Sequence, residues 1–454
     1  MKPLFGTAWF AVILCIAAAL GAAETSSSVT EEEALRQTIN YGTDNEITEL
    51  IKKLRDGGID SLDGDLIRLA EKTRNQNIIL AVFSFFNERS VNGLEDTAIA
   101  IVTGRENETL QKVTAAIDYL GAVKEKKAIP LLTEIVSAGG GQYDGASIRA
   151  LGKIADSGMP RAEADAITET LINYYNNAAS SGGNREAVIA AVGNSGGEGA
   201  AAFILKIASD TEQGASLRMA ALEAAGKLKD AAALDSIIAA ASSGDPNIRY
   251  AAAGALGAFD GEESAAVILE SFRDSYFRTR LAAIRSAKMR RLNEAVPYLR
   301  YRAERDEAAV VREEAVLALG AIGGGEADSA LAAMMDDTKN SDSLRSLCAE
   351  MLIKNDADAW AGSIIAKLDE AAAKKQTALY KGLLKALSLA RTSKVEALTA
   401  RLFASKDVIE KFYALDMTAN NGFTAFKAEA EALSNEKNLS LASRAKKTLE
   451  KLGG

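Results

Sequence analysis

The sequence predicts an all-α fold, a right-handed α-solenoid of stacked antiparallel helix hairpins. A short phrase that begins with arginine recurs between residues 185 and 353 at intervals of 31 to 33 positions. Each interval holds two apolar patterns with helical spacing, separated by turn-forming residues. The composition agrees, because the 454 residues include only five prolines. Periods of about 20 to 50 residues indicate stacked repeats, since one hairpin cannot bury its apolar face alone.

The repeated phrase is an arginine, then an alanine three positions later, then Ala-Leu-Gly or a near variant. Its clearest copies run from Arg249 to Gly257 and from Arg312 to Gly320. Related copies begin at Arg185, Arg218, Arg280 and Arg345. A spacing this constant over six copies predicts one hairpin per copy.

The turn before Arg249 carries the clearest signals. Asp245 is a favoured N-cap residue, and Pro246 suits the first helical position because the N–H it lacks has no intrahelical partner there. We therefore expect one helix to end at Ser243-Gly244 and the next to begin at Asp245. Gly257 is expected to end that second helix in the left-handed conformation, which costs glycine least.

The pattern Arg-x-x-Ala-x-x-Ala-Leu-Gly resembles HEAT repeats, and more closely the short bacterial variety called HEAT-like or phycobilisome-lyase-type repeats. This resemblance implies a HEAT/armadillo-like superhelix whose second helices line the concave face. It also implies a structural role for the arginine column, holding the inter-helix turn or the neighbouring repeat. The structural repeat positions are Arg218, Asp245, Arg249, Gly257, Arg312 and Gly320. The usual acid, four residues before the arginine, is present only as Asp245.

The first 23 residues predict an export signal. Lys2 is their only charged residue, an apolar stretch runs from 4 to 20, and the small residues Gly21-Ala22-Ala23 precede a polar segment. This order is that of a signal peptide, most simply cleaved after Ala23, which favours a periplasmic protein. An uncleaved anchor is the alternative, because the apolar stretch is near the lower length limit for spanning a bilayer.

The rest of the chain can be divided by how closely its repeats match the phrase. Residues 24–40 are acidic and serine-rich, residues 41–184 hold irregular helical repeats, residues 185–353 hold the regular repeats, and residues 354–454 hold degenerate repeats and a C-terminal cap. Together they predict roughly eleven hairpins in one array rather than several globular domains.

Missing residue types exclude much of enzyme chemistry. The chain contains no histidine, which removes imidazole bases, Ser-His and Cys-His nucleophile pairs and imidazole metal ligands. Cleavage after Ala23 would leave Cys348 as the only cysteine, too few for a zinc site or an internal disulfide, and we expect it to be a core residue. The glycine-rich stretches lack the Gly-Lys-Ser/Thr ending of a P-loop. We therefore predict no enzyme activity, no catalytic residues, no cofactor and no metal.

The charge distribution contains one anomaly. The formal net charge is −9, which makes nucleic acid an unfavourable partner. Between Phe272 and Arg305, however, ten basic and three acidic residues give a local charge of +7, with five aromatic residues interleaved. We call residues 272–305 the basic window. Its candidate binding residues, for a protein or an anion, are Arg278, Arg285, Lys288, Arg273, Arg302, Tyr276 and Tyr298.

Two interpretations of the basic window remain open. Arg278 and Arg285 are seven positions apart on one predicted helix, so both would point into the concave groove. Alternatively, these arginines pair with acids on neighbouring repeats, such as Glu262, Glu307 or Glu314. The leading function is a non-enzymatic scaffold that binds other envelope proteins. The alternatives are an anionic-ligand or peripheral membrane-surface module that uses the window, and a His-free carboxylate enzyme acting on envelope polysaccharide.

Overall fold

The computed structural model describes residues 31–155, 158–177 and 182–453. The predicted export signal, residues 1–23, lies outside these ranges. Within them the secondary structure is helical, with 26 α-helices and no strand. The helices group into two compact units, one ending at Ala128 and the other beginning at Ile129.

The first unit holds six described α-helices, joined by short turns into three hairpins. They are α1 (Glu31–Tyr41), α2 (Asp44–Gly57), α3 (Asp63–Lys72), α4 (Gln76–Arg89), α5 (Glu95–Thr103) and α6 (Leu110–Ala122). Its core contains large aromatic side chains, among them Phe83 and the fully buried Tyr119. The Tyr119 hydroxyl donates to the Val91 carbonyl at 3.0 Å and accepts from the Leu94 N–H at 3.1 Å, so it is buried without a lost hydrogen bond.

The second unit begins with hairpins whose helices are eight to sixteen residues long. Its first half consists of α7 (Ile129–Ala138), α8 (Asp144–Ala155), α9 (Arg161–Asn176), α10 (Arg185–Ser195), α11 (Ala200–Ser209), α12 (Ala215–Leu228), α13 (Leu234–Ala241), α14 (Pro246–Ala255), α15 (Glu262–Ser271) and α16 (Phe277–Arg290).

The same alternation continues to the last described helix. The second half consists of α17 (Val296–Arg305), α18 (Ala309–Ile322), α19 (Gly324–Asp336), α20 (Asp342–Asn355), α21 (Ala357–Ala373), α22 (Thr377–Ser388), α23 (Glu396–Phe403), α24 (Val408–Asn421), α25 (Lys427–Leu433) and α26 (Leu439–Lys451). The described helices thus form three hairpins in the first unit and ten in the second, close to the predicted number.

In the second unit each even-numbered helix is the second helix of its hairpin and packs against the even-numbered helix of the next hairpin. These helices form what we call the second-helix layer, and the odd-numbered helices form the first-helix layer. An array in which every hairpin is covered by its neighbours is an α-solenoid, which confirms the predicted fold class.

The turn predicted before Arg249 is confirmed. Helix α13 ends at Ala241 and α14 begins at Pro246. Asp245 has an extended backbone, and its side chain accepts a hydrogen bond from the Asn247 N–H at 2.8 Å. Aspartate and proline therefore start this helix for the reasons that the sequence suggested.

The prediction for the glycine of the phrase was wrong. Gly257 does not adopt the left-handed conformation. It lies in a 3-10 turn, Leu256–Ala258, that continues α14, and the equivalent Gly193, Gly226 and Gly320 lie inside helices. These glycines mark close approaches in the second-helix layer. A methyl group at Gly193 would lie 2.6 Å from the Ala224 Cβ, and one at Gly320 would lie 2.7 Å from the Met351 Cγ.

Cys348 lies in α20 and is fully buried, as predicted for a core residue. Burial raises the pKa of its thiol to about 12, so the side chain stays protonated and unreactive while the repeat is folded. In the part of the chain that the structure describes, no helix combines the length and the apolar character needed to cross a bilayer.

Candidate functional site

The arginines of the repeated phrase hold the turns between helices. The Arg249 guanidinium donates to the carbonyls of Ser243 and Gly244 in the turn of its own hairpin, at 2.9 and 3.2 Å. The same guanidinium binds both carboxylate oxygens of Asp274, in the turn of the next hairpin, at 2.6 and 3.0 Å. One side chain therefore ties its own turn to the following one, through a charge-assisted bidentate pair.

Arg280 repeats this arrangement one hairpin later. Its guanidinium donates to the carbonyls of Asp274 and Ser275 at 2.9 and 3.0 Å. It also binds both oxygens of Asp306 at 2.7 Å. The exposed fraction is 5% for the Arg280 side chain and 0% for that of Asp306, so this ion pair is buried.

Arg312 then donates to the carbonyls of Asp306 and Glu307, at 2.7 and 3.2 Å. The five side chains form a continuous series through three successive turns, which we call the Arg–Asp ladder: Arg249, Asp274, Arg280, Asp306 and Arg312. Outside it, Arg218 and Arg345 each donate to a carbonyl of the first helix of their own hairpin, that of Ala208 at 3.3 Å and that of Met335 at 2.7 Å.

The two acids of the ladder are ionised in place. Burial alone would raise the pKa of Asp274 and Asp306. Hydrogen bonds from their arginines, and from the N–H groups of Tyr276 and Ala308, outweigh this effect and hold the pKa of both carboxyls below its usual value. Asp245, the acid four positions before Arg249, caps α14 as predicted, and Arg249 pairs with Asp274.

Half of the ten basic residues in the basic window pair with an acid. Besides the Arg280 pair, Arg273 binds Glu270 at 2.8 Å, Lys288 binds Glu314 at 3.1 Å, Arg300 binds Glu304 at 3.0 Å and Arg302 approaches Asp306 at 3.4 Å. Two of the partners suggested by the sequence, Glu307 and Glu314, are used, the former by Arg280 at 3.3 Å. Intramolecular pairing thus accounts for part of the charge but leaves other guanidinium groups available.

Two arginines without a partner in the described part of the chain, Arg278 and Arg285, lie on the second-helix layer. Both lie on α16 and are exposed, and among the described residues neither has a hydrogen-bond or ion-pair partner. Arg285 borders a cavity of about 560 Å³ that crosses α12, α14 and α16, which we call the second-helix groove. Its lining includes Tyr250, Ala251, Gly254, Ala282, Arg285 and Met289. Met289 is 62% exposed, so an apolar surface lies beside unpaired positive charge.

Arg273, Tyr298 and Arg302 lie apart from this groove. They line a second cavity of about 420 Å³ between the end of α15 and α17, together with Phe272, Pro297 and Tyr301. We call these six residues the tyrosine pocket. The two cavities share no lining residue. Tyr276 lines neither, and its backbone N–H donates to Asp274 at 2.7 Å. The seven candidate binding residues therefore do not form one site.

Sequence reasoning missed three features of this region. The acids of the ladder lie 25 or 26 positions after their arginine partners. Their recurrence six positions before Arg280 and Arg312 was a signal that could have revealed them. Tyr301 and Met289 were also overlooked, because an exposed aromatic or apolar residue in a helix gives no sign of which cavity it borders.

An array of short helical hairpins, packed through small residues and tied turn to turn by arginines, defines the class of HEAT-type α-solenoids. Residues 39–448 match the sequence profile of the spirochaete HEAT repeat protein family, so this chain belongs to that family. The finer likeness to phycobilisome-lyase-type repeats stays a prediction. No curated protein matches the sequence.

Solved structures with a similar fold include yeast importin-beta (Kap95p), with 12% sequence identity and a TM-score of 0.52 over 92% of this chain and 72% of that chain. Kap121p matches with 11% identity and a TM-score of 0.44 over 97% of this chain. The chain spans only 56% of the length of Kap121p. At these identities the likeness concerns the fold alone.

Proposed function

We propose that this protein is a non-enzymatic scaffold, exported to the cell envelope, that binds an acidic partner protein in the second-helix groove. HEAT-type arrays present extended surfaces that suit protein binding. The residues present also support binding rather than catalysis. The sequence lacks histidine, and within the described ranges no three Asp, Glu or Cys side chains are grouped so that they could hold a metal ion.

The observation that carries this proposal is the pairing of apolar surface with unpartnered charge. Alanines and glycines of α12, α14 and α16 line the bottom of the groove with small residues, and Met289 offers a flexible side chain that adapts to different contacts. Arg278 and Arg285 lie seven positions apart on one helix, so both guanidinium groups can meet carboxylates of one partner element. Arginine and tyrosine are enriched at the sites that dominate binding energy.

The partner chemistry follows from this arrangement. An amphipathic helix can place its apolar side chains in a groove, with anchors repeating at three- and four-residue spacing. Acidic residues flanking those anchors would reach Arg278 and Arg285. We therefore expect an acidic amphipathic segment as the partner, with binding that weakens as salt concentration rises.

The test compares Arg278→Glu/Arg285→Glu with the wild-type protein in a cross-linking pull-down from envelope extracts. Any captured protein is then purified and its affinity is measured for both proteins. The matched control is Lys446→Glu/Lys447→Glu, which makes the same change in net charge at two exposed positions of the terminal helix α26. We expect the arginine variant to lose the partner and the lysine variant to retain it.

Equal capture by all three proteins would overturn the assignment of the groove. A partner lost equally from both variants would point to general charge rather than to this site. Export is tested separately, by fractionating cells and sequencing the mature N-terminus. Recovery in the cytoplasm with an intact N-terminus would contradict the envelope location while leaving the groove proposal standing.

A further inference from the structure

The tyrosine pocket is a second concave surface, built from residues that the proposed scaffold function does not use. Its walls are flat and apolar, formed by Phe272, Pro297, Tyr298 and Tyr301. The Phe272 and Tyr298 rings pack against each other with centroids 5.6 Å apart. Tyr301 is 53% exposed, so much of its ring is open to a ligand in the pocket.

Guanidinium groups lie over both tyrosine rings. The central carbon of Arg273 is 5.6 Å from the centroid of Tyr298, and that of Arg302 is 5.3 Å from the centroid of Tyr301. Arg305 also lies over Tyr301, at 5.9 Å. A guanidinium stacked on a ring is held in place while its N–H edge stays free to bind a carboxylate in bidentate fashion.

The acids nearby do not neutralise these groups fully. The Arg273–Glu270 pair is exposed at both ends, and such pairs contribute little because water and salt screen them. Arg302 reaches Asp306 only at 3.4 Å, and both oxygens of that carboxylate already accept shorter hydrogen bonds from Arg280. No carboxylate lines the pocket itself. An incoming anion would therefore meet positive charge that is already in position.

The polar groups that face the pocket are mainly donors. The hydroxyls of Tyr298 and Tyr301 have no hydrogen-bond partner among the described residues, and the two guanidinium groups can only donate. A ligand that suits this lining has many oxygen acceptors, at least one carboxylate and a flat apolar face. A peptide segment fits less well, because among the lining side chains only the two tyrosine hydroxyls can accept hydrogen bonds from its backbone N–H groups.

We propose that the tyrosine pocket binds an acidic carbohydrate, through a carboxylate-bearing sugar ring. The apolar C–H face of the ring packs against the exposed Tyr301 and Pro297. The carboxylate accepts hydrogen bonds from Arg302 and Arg273. The ring hydroxyls exchange hydrogen bonds with the two tyrosine hydroxyls. The cavity volume of about 420 Å³ is large enough for one or two sugar rings.

The experiment measures binding to the full-length protein by isothermal titration calorimetry. The probes are an oligogalacturonate and a hyaluronan oligosaccharide, which differ in the sugar that carries the carboxylate. The methyl-esterified oligogalacturonate keeps the rings and removes the charge, and a polyglutamate peptide keeps the charge and removes the rings. The variants are Arg302→Gln and Tyr301→Ala. Arg300→Gln is the control, because Arg300 lies on the same helix but does not line the pocket.

We expect at least one acidic oligosaccharide to bind, and both Arg302→Gln and Tyr301→Ala to weaken its binding by roughly tenfold or more, the effect of losing a charged hydrogen bond or a stacked ring. Arg300→Gln and the groove variant Arg278→Glu/Arg285→Glu should bind normally, which separates this site from the proposed protein-binding groove. The proposal is overturned if neither oligosaccharide binds, if polyglutamate binds as tightly, or if Arg300→Gln weakens binding as much as Arg302→Gln.

Discussion

Single side chains explain why the three hairpins between α13 and α18 stay in register. The Arg280–Asp306 pair is buried, bidentate and connected to two backbone carbonyls of the preceding turn. Burying two charges is costly, so such a pair stabilises a fold only when its geometry satisfies nearly all of the available hydrogen bonds. This pair meets that condition, because Asp306 also accepts a hydrogen bond from the Ala308 N–H at 3.0 Å.

Removing one member of this pair should be strongly destabilising. We expect Arg280→Met to lower the free energy of unfolding by about 3 to 5 kcal/mol, because Asp306 would remain buried without its main partner. Arg300→Met removes an exposed pair within one helix and should cost under about 0.5 kcal/mol. Urea unfolding followed by circular dichroism measures both changes.

A second variant tests whether uncompensated charge is the cause. Arg280→Met/Asp306→Asn removes the buried charge while keeping a side-chain oxygen for the Ala308 N–H. We expect this double variant to recover part of the lost stability. If it is no more stable than Arg280→Met alone, loss of packing rather than charge explains the effect.

At this scale the sequence identified the arginines directly, whereas their partners were marked only by an acid six positions before Arg280 and before Arg312. The constant interval identified Arg249 and Arg312 as repeat positions. The interval could not identify Asp274 or Asp306, because an acid in the next hairpin is distant along the chain. Asp245, the acid four positions before Arg249, caps the N-terminus of α14, the role that the following proline indicated.

At the scale of helices, spacing and turn residues predicted most of the elements. The predicted boundary at Ser243-Gly244 and Asp245 separates α13 from α14. The prediction that the glycine of the phrase ends its helix was wrong, because glycine suits both a helix end and a close helix–helix contact. Only three-dimensional packing reveals that Gly193 faces Ala224.

The close packing at these glycines predicts that a glycine-to-alanine change has the opposite effect on stability from the usual one. Replacing a mid-helix glycine with alanine normally stabilises a protein by about 0.5 to 1 kcal/mol. We expect Gly193→Ala to destabilise by about 1 to 3 kcal/mol instead, since the new methyl group would overlap the backbone and side chain of Ala224. Gly362 lies inside α21, and a methyl group added there would meet no neighbouring side chain or helix of the described ranges within 4 Å. Gly362→Ala should therefore show the normal stabilisation.

Differential scanning calorimetry distinguishes the two substitutions by opposite shifts in melting temperature. A rise for both variants would mean that neighbouring second helices can move apart at little cost. The close packing of the layer would then not be a determinant of the fold.

At the scale of the whole molecule, counting charges identified the basic window but could not show that its residues have different roles. The +7 of the basic window includes buried ladder residues, groove residues and pocket residues, which serve different purposes. Composition and periodicity define how many hairpins stack. They do not define which side of the stack each arginine faces, because that depends on the length of each turn and the rotation between hairpins.

Stability should also vary along the second unit. Each repeat is stabilised by its neighbours, and the first helix of the hairpin of α25 and α26 has only seven residues. We expect hydrogen exchange to be slowest in α14, α16 and α18, which the Arg–Asp ladder connects, and fastest in the hairpin of α25 and α26. Mass spectrometry of exchanged peptides measures this gradient. Uniform protection across the unit would indicate a single cooperative transition and contradict the expectation.

The Arg–Asp ladder also has a mechanical consequence. Hydrogen-bonded ion pairs are short-range and resist extension steeply, whereas apolar contacts between helices tolerate small sliding motions. On either side of the ladder, Arg218 donates to a carbonyl of its own hairpin, and Arg345 binds a carbonyl and the Asp342 carboxylate of its own hairpin. Among the described residues, neither arginine therefore transmits tension to the next hairpin. The array should therefore not extend uniformly. Under a pull along its stack, the three linked hairpins would extend least and the flanking repeats would extend most.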